Sequence, residues 1–239
     1  MVTEATQEDS EEYPPSPTRR LVERVPAAHP TVSMVSMPSD EEIREHHEAD
    51  PDDAVWLAGG PTPGPVVIVD HDPSWPARFA TLESRIRTAL GPFALAVDHV
   101  GSTSVPGLAA KPVIDIDLTV ADPADESAYR SALEGEGFIL FVREPGWHEH
   151  RCFRFEGPAA NLHVFGPDCP ETIRHRMFRD WLRGHPEDRT LYREAKQAAA
   201  GVTNDRGGNV MDYNARKEDV IRSIYGRIFR AHGMVSGDR

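Results

Sequence analysis

The stretch His99–Leu118, HVGSTSVPGLAAKPVIDIDL, constrains the fold of this chain more than any other. Apolar and β-branched residues from Ala94 to Val100 predict a strand. It runs directly into Gly101-Ser102, where the missing side chain lets another group approach the backbone. Pro106-Gly107 and Lys111-Pro112 punctuate the connection that follows. Val113–Leu118 then alternates apolar and acidic residues, which predicts a half-buried strand carrying Asp115 and Asp117 on one face.

On a strand, two residues i and i+2 lie about 7 Å apart at Cα. Two carboxylates at that distance repel by about 2 kcal/mol at an effective dielectric near 20. A divalent cation removes that repulsion, and Mg²⁺ is commonly held by one or two carboxylates together with substrate phosphates. Gly101 and Ser102 supply a backbone turn and a hydroxyl for a phosphate, and a short helix beginning near Ser104 would add its amides. A P-loop does not explain the stretch, because Leu108 stands where the lysine of that motif must be. Each motif taken singly also describes a tight turn beside a solvated strand. Their order along one stretch points to phosphate and metal chemistry.

Charge narrows the partners. The formal net charge is −13, and the first 63 residues hold 14 of the 39 acidic but only 4 of the 26 basic residues. The remainder is therefore close to neutral and lacks the basic excess expected of a binder of extended nucleic acid. A small anionic ligand needs only a few local cations. Two cysteines, Cys152 and Cys169, give no disulfide framework. With no secretory leader and no long apolar run in view, a cytoplasmic location and no membrane partner are expected.

Residues 1–63 read as a largely disordered acidic arm with a short helix near 39–47, opened by Ser39 and Glu42 as a capping box. Trp56 is the residue expected to dock the arm. A Gly/Pro-rich boundary leads into a domain over 64–232, and 233–239 reads as a flexible tail. Within the domain, Val66–Val69 predicts a short strand. Ser74-Trp75-Pro76 opens a helix whose apolar positions end at Gly91, and Ala124–Glu136 predicts another. Strands are expected at Phe138–Val142, Cys152–Phe155 and Ala160–Phe165. From Pro170 to Ile228 the pattern is helical, broken near Gly184–Pro186 and Gly201–Gly208. The whole is α+β.

Four segments, Val66–Phe79, His99–Leu118, Asn161–Val164 and Phe178–Arg183, together with the C-terminal run containing Tyr192, Lys196, Tyr213 and Lys217, resemble the GrpB family. That family is assigned to the nucleotidyltransferase-like superfamily and also occurs fused to some bacterial dephospho-CoA kinases. The resemblance implies a small mixed sheet flanked by helices, with a helical C-terminal part and the Gly-Ser turn and aspartates at the active centre. The wider superfamily pattern carries a third carboxylate on a later strand, whereas the GrpB family shows a histidine there. Here that strand is Asn161-Leu162-His163-Val164, and His163 occupies the inward position. His163 reads as a general base, as a softer ligand favouring Mn²⁺ or Zn²⁺, or as a core histidine.

By the same resemblance, Lys196 and Lys217 supply charge to a triphosphate. Tyr213, four residues before Lys217, either stacks on a base or fills core. Lys111 and Arg154, with Arg151, are further candidates for phosphate. Glu149 is a distant substitute for the missing acid, and His148-Glu149-His150 reads as a polar loop. The expected function is nucleotidyl transfer from a nucleoside triphosphate, or a related small phosphorylated ligand, with Mg²⁺ or Mn²⁺. The alternative is a non-catalytic module binding a nucleotide- or CoA-like ligand.

Overall fold

A computed structural model describes residues 37–47, 52–60 and 64–235. The expectations made for residues 1–36 and for the last four residues lie outside the described part. The first helix, α1 (Asp40–Arg44), carries the expected capping box: Ser39 accepts from the Glu42 N–H, and Glu42 returns a bond to the Ser39 N–H. Val55–Trp56 forms the short strand β1.

Helix α2 (Trp75–Leu90) begins with proline in its first turn, but the Ser74 side chain makes no capping bond. Asp72 instead accepts from the Ser74 N–H. Strand β2 (Ala96–Val100) and strand β3 (Ile114–Thr119) form the expected pair. The segment read as a strand at Val66–Val69 makes only a single bridge, Val69 to Ala110. The predicted helix at Ala124–Glu136 is shorter than expected: a 3₁₀ turn at Glu126–Ala128, then α3 (Arg130–Gly135). Strands β4 (Ile139–Glu144), β5 (His150–Glu156) and β6 (Ala159–Phe165) follow. Three helices close the chain: α4 (Pro170–Gly184), α5 (Pro186–Asp205) and α6 (Val210–Ala231). Helix α5 runs through Gly201, so the second break falls at Arg206–Asn209. Met234 and Val235, placed in the flexible tail by sequence, pack against apolar residues of the C-terminal helices.

The six strands lie in the order β1-β4-β5-β6-β3-β2, mixed rather than purely antiparallel because β3 and β6 run parallel. Period-2 alternation gives the sheet two unlike faces. Ile114, Ile116, Leu118, Leu162 and Phe153 point to one side, where they pack with Trp75, Leu82 and Ile86 of α2 and Leu133 of α3. The other side carries a polar row across four strands. In the pairing register, Asp98, Asp117, His163 and Cys152 stand side by side. Helix α4 packs on this polar face at β2 and reaches β3 through His175 to Asp117, and α5 and α6 pack against α4. No helix among the described residues is long and apolar enough to cross a membrane.

Candidate functional site

The site forms where the Gly-Ser turn meets β3. Gly101 has φ +66° and ψ −171°, a conformation reserved almost wholly for glycine. A Cβ on Gly101 would collide with Asp115 Oδ2. The turn backbone therefore lies directly against the carboxylate. The helix expected near Ser104 is a single 3₁₀ turn over Ser102–Ser104, and the Ser104 hydroxyl donates to the Gly101 carbonyl at 2.6 Å.

Asp115 and Asp117 share the cleft face, as the alternation predicts, but their surroundings differ. Asp115 Oδ1 accepts from Asn161 Nδ2 at 2.9 Å. Asp117 is 1 % exposed; its Oδ2 lies 2.9 Å from His175 Nδ1. Its Oδ1 is buried without a hydrogen-bond partner among the described residues. Burial opposes charge on His175, but the Asp117 carboxylate and its hydrogen bond, with Glu171 and Asp115 behind, raise the imidazole to about 9. At neutral pH His175 is thus an imidazolium.

His163 stands beside Asp117 across the parallel ladder, in the place expected of a third acid. It belongs to a relay that sequence reading missed. Glu144 Oε2 lies 2.8 Å from His150 Nδ1, and His150 Nε2 lies 3.0 Å from His163 Nδ1. A β-bulge between Leu140 and Val142 makes this possible. Leu140 faces the core opposite Phe153, and the extra residue turns Val142 and Glu144 to the cleft side. Although burial works against ionisation, the His150 hydrogen bond lowers the pKa of Glu144, whereas burial lowers His150 to about 4 and also lowers His163. These protonation states fix the tautomers. The Glu144 carboxylate accepts, so His150 carries its proton on Nδ1. His150 Nε2 then accepts, so His163 carries its proton on Nδ1. The lone pair of His163 is left on Nε2.

A cleft of about 520 Å³ brings together Gly101, Ser102, Lys111, Asp115 and His163 from the sheet side. Lys196, Tyr213 and Lys217 line it from the helical side. The lysines are not equivalent. Lys196 is 1 % exposed, and its Nζ donates to the Ala109 carbonyl at 2.5 Å. Burial, and then Lys217 nearby, lower it to about 7. Burial also lowers Lys111, though Asp115 opposes that shift. Tyr213 is buried among Val66, Ala199 and Ala200, and Lys217 Nζ sits 4.8 Å from its ring centre. The ring therefore fills core and seats the lysine.

Four other candidates lie elsewhere. Arg154 shares the cleft face of the sheet, but its guanidinium lies on the Phe141 ring, 3.3 Å from the centroid, and it does not line the cleft. Arg151 is buried against Glu126 at 2.8 Å. Glu149 faces Arg151 from the turn and does not replace the missing acid. His150, read as part of a polar loop, is a buried strand residue.

Asp115 lines the cleft, where it could meet a cation arriving with a phosphate, whereas Asp117 does not line it and keeps one buried oxygen unpartnered. The two carboxylates do not form a self-sufficient cage, since no group of three His, Cys, Asp or Glu side chains among the described residues could hold a metal ion.

The family model described as GrpB protein matches residues 65–227. The chain belongs to the GrpB family. A UPF0157 protein of Halalkalibacterium halodurans is 44 % identical over 162 residues, covering 68 % of this chain and 82 % of the relative. One from Streptomyces coelicolor is 39 % identical, covering 72 % and 89 %. A dephospho-CoA kinase of Mycolicibacterium paratuberculosis is 32 % identical over 68 % of this chain, which spans 46 % of that kinase. The crystal structure of the conserved protein GrpB from Enterococcus faecalis superposes with a TM-score of 0.61 at 27 % identity, covering 70 % of this chain and 99 % of that one. All the cleft residues of this GrpB-family chain named above lie within the matched span, whereas α1 and β1 precede it.

Proposed function

We propose that the cleft binds a nucleoside triphosphate, or a related small phosphorylated ligand, with Mg²⁺ or Mn²⁺, and transfers its nucleoside monophosphate to a small-molecule or protein acceptor. The close fit of the Gly101 backbone against Asp115 carries this reading. A phosphate resting on the turn and the Ser102 hydroxyl lies beside that carboxylate. Lys111 and Lys217 then neutralise the polyphosphate from opposite walls. The acceptor hydroxyl attacks the α-phosphorus, the bond to the bridging oxygen breaks, and pyrophosphate leaves. His163 Nε2 takes the proton released by the acceptor. A cation on Asp115 and Asp117 would offset charge on the phosphates. The near-neutral domain disfavours extended nucleic acid as the partner.

Thermal shift with ATP, CTP, GTP and UTP, each with and without Mg²⁺, tests the reading on wild type and on Asp115→Asn/Asp117→Asn. The expected result is metal-dependent stabilisation lost in the double variant. A shift that ignores both metal and mutation contradicts it.

One observation favours a second reading: the third acid is replaced by His163, held by His150 and Glu144. On this reading the domain is a binding module for a nucleotide- or CoA-like ligand, which the similarity to dephospho-CoA kinases supports. Stabilisation by CoA without metal, surviving the double variant, would select it.

A further inference from the structure

A second cavity of about 360 Å³ opens from the cleft. The two share Gly101, Ser102, Trp147, His175, Glu218 and Ile221, so they meet between the phosphate turn and α6. The lining of the second is different in kind. Phe178, Tyr192 and Tyr225 come from the three C-terminal helices, and Trp147 comes from the loop between β4 and β5. Glu171, Arg174, Arg179 and Glu218 add charged groups, and His46 and His47 supply a wall from the segment after α1, which precedes the family-matched span.

That wall is anchored. Buried Arg174 donates to the carbonyls of Ile43 and Glu45, both at 2.8 Å. Its guanidinium also lies 4.3 Å from the Tyr225 ring centre. Ile43 is 5 % exposed among the apolar residues of α4 and α6. Next to it, His46 meets Tyr225 edge-on at 5.7 Å, and His47 stacks on Trp147 at 4.9 Å with ring planes 16° apart.

We infer that this aromatic pocket is the subsite for the flat ring of the ligand, a nucleobase, and that the N-terminal segment completes it. The inference rests on the reading of the cleft as a phosphate site. It follows from continuity: a molecule with its phosphates on the Gly101-Ser102 turn has its other end at the pocket mouth. Stacking on aromatic side chains suits any base, because every base presents a π-face.

Calorimetry with ATP·Mg²⁺ and with inorganic tripolyphosphate·Mg²⁺ separates the two subsites. The proteins are wild type, His47→Ala and Trp147→Ala. His47 is exposed, so its removal leaves the core intact even if Trp147→Ala perturbs the fold. Wild type is expected to bind ATP about tenfold tighter than tripolyphosphate. In His47→Ala that preference shrinks to roughly threefold or less while tripolyphosphate affinity holds; Trp147 lines both cavities, so in Trp147→Ala only the loss of preference is read. Equal affinity of wild type for both ligands, or an unchanged preference in His47→Ala, overturns the subsite and leaves the phosphate reading standing. Binding of neither ligand removes both.

Discussion

At the scale of single residues, Gly101 and His163 decide most. Gly101→Ala forces a side chain into a glycine-only conformation, a cost of about 1–3 kcal/mol. It also drives a methyl group toward Asp115 Oδ2. Urea unfolding is expected to register at least that loss, and nucleotide-induced stabilisation is expected to vanish with it. For His163 the prediction is spectroscopic. Nitrogen-detected NMR of the ring at pH 7 is expected to find Nδ1 protonated and Nε2 bare, and Glu144→Leu to erase that preference. A protonated Nε2 in the wild type would refute the relay. The Gly-Ser turn, both aspartates and His163 were legible in the sequence, because each sits in one local stretch with its own alternation. The partners of His163 were not. Glu144 reaches His150 only because a bulge shifts the register of β4, and no pattern in Ile139–Glu144 announces the extra residue.

At the scale of elements, α4 is the piece that sequence reading undervalued. It supplies both His175 against Asp117 and Arg174 against the N-terminal segment. The signal was present as the helical spacing of Glu171, His175, Phe178 and Leu182, which lines one side of the helix. A histidine on that stripe reads equally well as core, and only the position of β3 gives it a carboxylate. Two groups make opposite pH signatures. The raised pKa of His175 contributes stability that is complete below about 6.5 and fades as pH rises through about 9. The lowered pKa of Lys196 acts the other way: buried charge costs stability at low pH, and stability rises as pH climbs from about 7 toward 10.5. In metal-free buffer, melting curves across this range are expected to lose the falling component in His175→Asn. They are expected to lose the rising one in Lys196→Met. Identical profiles for either variant and the wild type would refute that assignment.

At the scale of the whole molecule, the chain is a mixed sheet with one greasy and one chemical face, and a short N-terminal segment seated on its helices. Periodicity marks the strands and helices, and the GrpB resemblance implies the sheet flanked by helices. Neither places α1, whose five residues carry little intrinsic stability and depend on partners far along the chain. Arg174→Ala removes the donor from the Ile43 and Glu45 carbonyls and takes the nearer cation from Glu171, which lies 3.0 Å from Arg174 Nε and 3.9 Å from His175 Nε2. A loss of roughly 3 kcal/mol is expected. Limited proteolysis is expected to cut near residues 45–55 sooner than in wild type, while the domain beyond residue 64 stays intact. Equal cutting rates would mean that other contacts hold the segment.

The parallel pairing of β3 with β6 also sets an order in time. The antiparallel neighbours β4, β5 and β6 are joined by short turns, and so can zip from local contacts. The Asp115–Asn161 bond spans 46 residues. Closing that span costs chain entropy before any ladder bond repays it. Asp117 and His163, neighbours across that ladder, are therefore expected to meet late, after both halves of the sheet exist. In pulse-labelled exchange, amides shared by β4, β5 and β6 should gain protection before those between β3 and β6. A chain stalled on the way to the native state would carry hairpins and helices but no cleft, so ligand capacity would report completed folding more strictly than helical content does.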